Sequence, residues 1–299
     1  MPVPLLLFDE AGWNAESPGR QPEIRLTFPT GPSGIGIMFS RLISTALVLV
    51  ACLAPLGLAS AAAAAAADTR CYELRIYHAS PGKLDDLHQR FRNHALRFLD
   101  KHGITSVGYW TPLQNGEDPR VFFMLSYESK AAREVAWKKL MEDPDWQTAF
   151  KASEAKGPLV QKVENFFLGA TDYSPAIVVG AGAGRRVFEL RDYTTTPGNL
   201  PRLNARFRDH TVTLFARHGM TNWGYWTPLA GEAGSDNRLI YLLAHATTDA
   251  AAASFKAFGQ DPEWKSAREA SEKDAGGSLT APGGVKSTFL VPTDYSPTR

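Results

Sequence analysis

The chain has 299 residues, and its 32 lysines and arginines against 31 acidic residues leave a net charge of +1. That balance argues against a nucleic-acid partner and against electrostatic adsorption to a membrane surface. Its only cysteines are Cys52 and Cys71, too few for a disulfide framework.

Met38, Phe39, Ser40 and Arg41 precede an apolar run from Leu42 to Leu58 and then small residues through Ala67, the layout of a secretory signal peptide cleaved near Asp68. Residues 1–37 are then expected to be a mis-assigned start or disordered. The mature protein is expected in the periplasm or outside the cell, with no membrane span left after processing. Lipidation at Cys52 is the minor alternative. Removal of that cysteine leaves Cys71 alone, so stability must come from packing.

Beyond Asp68 the sequence repeats itself. Tyr72–Leu113 aligns with Phe188–Leu229 without a gap, and half of the positions are identical. After a small insertion at 231–236 the match resumes: Asp143-Pro144-Asp145-Trp146 returns as Asp261-Pro262-Glu263-Trp264, and Thr171-Asp172-Tyr173-Ser174-Pro175 as Thr293-Asp294-Tyr295-Ser296-Pro297. The repeating unit has the size of a small domain, too long for a solenoid. This gives domains at 68–175 and 186–299 joined by a linker at 176–185.

Within one unit, Cys71 to Tyr77 alternates apolar and polar and predicts a strand. Ser80 and Pro81 predict a helix start, followed by Leu84, Leu87, Phe91, His94 or Ala95, and Phe98 at helical spacing; Thr196 and Pro197 do the same in the second copy. Gly103 and Gly219 are expected to end these helices in the left-handed conformation, with His102 and His218 at the negative end of the dipole. Strands follow over 104–111 and 121–127. Ser129 opens a second helix, Asp143-Pro144 a short third one, and 160–168 closes the unit as a strand. The order β-α-β-β-α-β is ferredoxin-like and leaves one sheet face bare, which the sibling repeat can cover. An α+β chain of tandem ferredoxin-like domains forming an intramolecular dimeric α/β barrel, monomeric as a whole chain, is the expectation.

These motifs, Tyr-Glu-Leu-Arg-x-Tyr, Pro-Gly-Lys, Lys-His-Gly, Gly-Tyr-Trp-Thr and Asp-Pro-Asp-Trp in order and in duplicate, resemble the NIPSNAP family. The resemblance implies the dimeric α/β-barrel fold. It implies little about activity, which is poorly defined for the family, although relatives by fold include cofactor-free monooxygenases and haem-binding enzymes.

Candidate chemistry is sparse. Glu73 with Arg75, and Glu189 with Arg191, share a strand face, with Tyr77 and Tyr193 as polar neighbours; they read as a salt-bridge network between the two sheets, or as base and anion anchor inside the barrel. His94 and His210 lie on or beside the apolar face of the first helix. They read as buried, hydrogen-bonded histidines, or as bases beside Tyr109 and Trp110 or Tyr225 and Trp226. Those four aromatics are core residues or pocket lining. The histidines lack metal-ligand spacing, so no metal and no cofactor are expected. Gly180 to Gly184 imitates a dinucleotide loop but opens no helix and reads as linker. The function expected is binding of a small apolar or aromatic molecule or of a protein partner. A cofactor-independent monooxygenase or isomerase using His94 or His210 as base is the alternative, and whether the protein is an enzyme stays open.

Overall fold

The computed structural model describes residues 68–180 and 186–299. Residues 1–67, which include the expected signal segment and Cys52, and residues 181–185 of the expected linker lie outside the described residues. The first repeat contains β1 (Cys71–Ala79), α1 (Leu84–Arg90), a π-helical turn (Phe91–Ala95), α2 (Leu96–Lys101), β2 (Thr105–Pro112), β3 (Arg120–Tyr127), α3 (Lys130–Glu142), α4 (Pro144–Ser153) and β4 (Val160–Ala170). The second contains β5 (Val187–Thr195), α5 (Leu200–Arg206), a π-helical turn (Phe207–Thr211), α6 (Val212–Arg217), β6 (Thr221–Pro228), β7 (Arg238–His245), α7 (Thr248–Gln260), α8 (Pro262–Asp274) and β8 (Thr280–Pro292).

The strands close into one barrel in the order β1-β3-β2-β8-β5-β7-β6-β4. The halves do more than stack sheet on sheet. β4, paired along its length with β1, also pairs with β6 through Leu168, Gly169 and Ala170, and β8, paired along its length with β5, also pairs with β2 at Trp110, Thr111 and Pro112, so the repeats join edge to edge and no sheet edge is left. Strand alternation then sorts the side chains. Tyr72, Leu74, Trp110, Phe122 and Met124 meet Phe188, Leu190, Trp226, Ile240 and Leu242 inside the barrel. Tyr109, Phe123, Leu125 and their counterparts Tyr225, Tyr241 and Leu243 point outward beneath the helices.

The Gly-Tyr-Trp motif has a steric cause. A Cβ on Gly108 would lie 2.1 Å from Cη2 of Trp110, and one on Gly224 would lie 2.3 Å from Cη2 of Trp226. Each indole therefore folds over the glycine two positions before it. The register slips between Ser106 and Gly108 and between Asn222 and Gly224, a bulge that lets Val107 and Trp223 join the barrel interior.

The first helix departs from expectation at its start and in its middle. Ser80 does not cap it: Gly82 takes φ +71°, the Lys83 amide donates to the Ser80 carbonyl, and the helix begins at Leu84. The π turn then adds a residue to the repeat and shifts the helical phase, so Phe91 and Ala95 are buried while His94 is only half-buried. The later elements follow the sequence closely, since Ser129 caps α3 by accepting from the Ala132 amide and Asp143 caps α4.

The repeats are also crossed by two straps. Residues after β4 cover the second repeat, where the Thr171 amide donates to the Tyr225 carbonyl, Tyr173 packs on Phe207 and Tyr225, and Arg208 grips Asp172. Residues after β8 cover the first, where the Thr293 amide donates to the Tyr109 carbonyl, Tyr295 stacks on Phe91 and donates to or accepts from His88 Nδ1 at 2.8 Å, and Arg92 grips Asp294.

Candidate functional site

Alternation along β1 and β5 turns Glu73, Arg75 and Tyr77, and likewise Glu189, Arg191 and Tyr193, to the outer face of the barrel. They neither bridge two sheets nor line the interior, which corrects both expectations for them. In the register they lie beside the outward residues of β4 and β8: Phe167 faces Glu73 and Asn165 faces Arg75, while Phe289 faces Glu189, Ser287 faces Arg191 and Val285 faces Tyr193. Each stripe forms the floor of a cleft between this open strand and the helix that follows β3 or β7.

In the first repeat that cleft is filled. Glu73 is 0 % exposed and accepts from Arg75 Nη1 at 2.5 Å, from Arg133 Nη2 at 3.0 Å and Nε at 3.2 Å, and from Tyr127 Oη at 2.7 Å. Trp137 Nε1 donates to Tyr127 Oη, and the indole lies 4.5 Å from the Arg75 guanidinium and 5.0 Å from that of Arg133. Burial alone would raise the Glu73 carboxyl; Arg75 and Arg133 outweigh it and hold the group below the usual carboxylate range. Burial, reinforced by the Glu73 carboxylate, pushes the Tyr127 phenol up. From the other repeat Leu229 packs onto this cluster, and Glu232, on the insertion between β6 and β7, pairs with Lys130.

The second repeat keeps the stripe and changes what surrounds it. Glu189 accepts from Arg191 Nη1, from Ser287 Oγ at 2.6 Å and from His245 Nε2 at 3.2 Å. Arg191 also donates from Nε to Tyr241 Oη and from Nη2 to Tyr193 Oη, both at 2.9 Å. Here burial also opposes ionisation of the carboxyl, yet hydrogen bonding by His245 and the charge of Arg191 hold it down. His245 stands where Tyr127 does, Phe255 where Trp137 does, and Ala251 where Arg133 does, so α7 brings much less bulk over the stripe. The shorter loop after β2 has no counterpart of Glu232, and Leu113, the counterpart of Leu229, is 46 % exposed. Ser287 is exposed and Tyr193 half-buried. Glu189 and His245 are nonetheless only 2 % and 3 % exposed, so the stripe lies under a thinner cover, with Phe255 over it, Val285 and Phe289 beside it and Ser287 at the surface.

The remaining candidates do not assemble into a site. His94 and His210 are half-buried on the π turns and, among the described residues, have no hydrogen-bond partner, so the buried, bonded histidine expected there is not what forms. Tyr109 and Tyr225 do face the helices, but their hydroxyls pair with Ser106 and Asn222. Trp110 and Trp226 fill the barrel, and each Nε1 is buried without a partner among the described residues. His102 and His218 donate from Nε2 to Asp143 and Asp261 at 2.8 Å, tying the end of one helix to the cap of another. His78 bridges Asp118 and Glu164 through opposite ring nitrogens, a geometry that cannot converge on one ion. Among the described residues no group of three or more His, Cys, Asp or Glu side chains could hold a metal, and no helix is long and apolar enough to cross a membrane. A shallow hollow of about 540 Å³ beside α6 is lined by Tyr173, Val212, Met220 and Asn222 and is open to solvent.

Two positions where the repeats disagree, Ile76 against Asp192 and Tyr127 against His245, carried a signal in the sequence, and the second lies at this site; sequence reasoning missed Arg133, Trp137 and Ser287.

The family model described as NIPSNAP matches residues 72–175 and again 188–297. Over 233 residues the chain is 28 % identical to protein NipSnap homolog 3B of Mus musculus, covering 76 % of this chain and 85 % of that one. Among solved structures it is similar to a NIPSNAP family protein of Agrobacterium tumefaciens, at 27 % identity over 36 % of this chain and 97 % of the other, with a TM-score of 0.32. It is also similar to an anthrone oxidase-like protein at 11 % identity, covering 78 % of this chain and 95 % of that one, with a TM-score of 0.47.

Proposed function

The chain belongs to the NIPSNAP family, and on that premise we propose that it is a binding protein that takes a small apolar or aromatic molecule at the more lightly covered Glu189–Arg191 stripe of its second repeat. The observation that carries this reading is the contrast between two clefts built on one stripe. Arg133, Trp137 and Leu229 cover the first, whereas Ala251, Phe255 and an exposed Leu113 cover the second more lightly, leaving Ser287 at the surface above a buried Glu189. A few polar groups converging within an apolar rim are what small-molecule sites generally offer. Oxygenase or isomerase chemistry at His94 or His210 has less support, because a base needs an imidazole oriented by a partner beside a held substrate, and neither side chain has such a partner among the described residues.

Native mass spectrometry of the protein purified from its own host tests the proposal. A retained mass is expected on the wild type and on Asn165→Trp, which alters the first cleft at an exposed position, and its loss is expected on Ser287→Trp, which plugs the second. Equal loss in both variants, or retention in Ser287→Trp, would place the ligand elsewhere. Export is part of the same proposal, supported by the 38–67 segment, and N-terminal sequencing of the host protein should read from Asp68.

A further inference from the structure

The two halves fill the barrel interior differently. Trp110 and Trp226 occur in both, but Trp223 stands where the first repeat has Val107, and Tyr72 stands where the second has Phe188. Val107 and Phe188 are fully buried, so an aliphatic side chain and a phenyl ring already satisfy packing at these two positions. What the larger and more polar alternatives add is connection. Trp223 lies 6.0 Å, ring centroid to ring centroid, from both Trp110 and Trp226, and Trp226 lies 5.7 Å from Tyr72, so the four rings touch in one continuous run across the barrel.

The members of that run differ in what they can do with a lost electron. Trp223 is 9 % exposed, whereas Trp110 and Trp226 are fully buried, so an oxidant in solution meets Trp223 first. The Nε1 groups of Trp110 and Trp226 have no acceptor among the described residues. An oxidised indole there finds no protein base for its proton and stays a radical cation, able to take an electron back from a neighbour. Tyr72 is different, because its buried phenol donates to Asp68 Oδ2 at 2.5 Å. Arg70 donates to the same carboxylate from Nε at 2.9 Å and Nη2 at 2.7 Å and holds it ionised, its carboxyl lowered to about 2. A phenol that has lost an electron is a strong acid, and its proton passes to the carboxylate it already touches.

We propose that the barrel core is a one-electron relay that carries an oxidising equivalent from Trp223 to Tyr72. A diffusible one-electron oxidant takes an electron from Trp223 and is itself reduced. Trp223 is refilled from Trp226, and Trp226 from Tyr72. The Tyr72 O–H bond breaks as its proton goes to Asp68, which leaves a neutral phenoxyl radical, a protonated carboxyl and two restored indoles. Trp110 is a side branch with no base at its end. No residue of the Glu189–Arg191 stripe belongs to the run, so the relay stands apart from the binding role proposed above.

Flash photolysis of the whole protein with photogenerated tris(bipyridine)ruthenium(III) supplies the oxidant, and transient absorption separates the broad band of a tryptophan radical from the narrow band of a phenoxyl. In the wild type the tryptophan signal is expected first, with the phenoxyl growing as it decays, more slowly in deuterium oxide. Tyr72→Phe is expected to lose that growth and leave a longer-lived tryptophan radical. Trp223→Val, which installs the side chain found in the first repeat, is expected to lose the growth as well. Asp68→Asn keeps every ring, removes the base at a partly exposed position and is expected to behave as Tyr72→Phe does, which keeps the test available if a core variant fails to fold. A wild type without phenoxyl growth, or growth unchanged in any of the three variants that folds, overturns the relay.

Discussion

Glu73→Ala should be among the most damaging single substitutions in the chain. The carboxylate is fully buried and accepts four hydrogen bonds, from Arg75 at 2.5 Å, from Arg133 at 3.0 and 3.2 Å and from Tyr127 at 2.7 Å. Alanine supplies no acceptor, and Arg75, only 7 % exposed, cannot turn to solvent. Removing one partner of a buried ion pair typically costs about 3–5 kcal/mol, because the uncompensated charge stays behind. For a domain of this size each kcal/mol lowers the melting temperature by roughly 2–4 °C, so a fall of about 6–20 °C is expected. Urea denaturation of Glu73→Ala, Arg75→Ala and the double variant reads the effect directly. The double variant should be less damaged than the sum of the singles, since it removes the stranded charge along with its partner. A Glu73→Ala cost below about 1 kcal/mol, or strict additivity in the cycle, would refute the buried network as a source of stability.

The same carboxylate should shape acid unfolding. Its folded ionisation lies below its unfolded one, so its contribution is complete above about pH 4.3 and disappears as pH falls through the folded value. The stability of wild type and Glu73→Gln, measured from neutral pH down to about pH 2.5, should therefore converge in acid; a difference that stays constant with pH would contradict this. Gly108→Ala should cost about 1–3 kcal/mol or more by forcing the Trp110 indole out of its place, whereas Gly116→Ala, whose Cβ meets nothing within 4 Å, should be nearly neutral. Thermal melts that rank these two in the opposite order would remove the steric account of the Gly-Tyr-Trp motif. In the strap over the first repeat, Tyr295→Ala should cost about 2–4 kcal/mol through lost stacking on Phe91 and Tyr109, and Asp294→Ala less than about 1 kcal/mol because its pair with Arg92 is exposed. Comparable losses for both would mean that the ion pair, not the ring, holds the strap.

Duplication made the architecture legible. A repeated β-α-β-β-α-β pattern with one bare sheet face leaves few arrangements, and the helix caps at Ser129 and Asp143 could be read because capping is local chemistry. The seams of β4 with β6 and of β2 with β8 could not be read, since strand pairing across repeats is decided by long-range closure and not by any local pattern. The same holds for the face occupied by Glu73 and Arg75. Alternation shows that they share a side, but only barrel closure determines that this side is the outer one. His94 illustrates a different limit, because a single extra residue in the π turn rotates it away from the core that Phe91 and Ala95 occupy. Arg133, the second cation on Glu73, stood on a helix of weak amphipathicity, where nothing in its neighbours distinguished it from a solvated arginine.

The repeated motifs divide into those that both halves need and one that only a single half keeps open. Gly108 and Gly224 must clear their indoles, His102 and His218 must reach their caps, and the straps bearing Tyr173 and Tyr295 must cross, because the closed barrel uses each of these twice. The Glu-Arg stripe is also needed twice, but one carboxylate with one arginine already satisfies its own electrostatics, as Glu189 and Arg191 do. Arg133, Trp137 and the reach of Glu232 to Lys130 are therefore additions that close the first cleft, and Ala251 with the shorter loop after β2 leaves the second without them. With Glu73 sealed, the first repeat contributes rigidity. The second, which lacks those additions and keeps Ser287 at the surface, is where exchange of the proposed ligand with solvent costs the scaffold least.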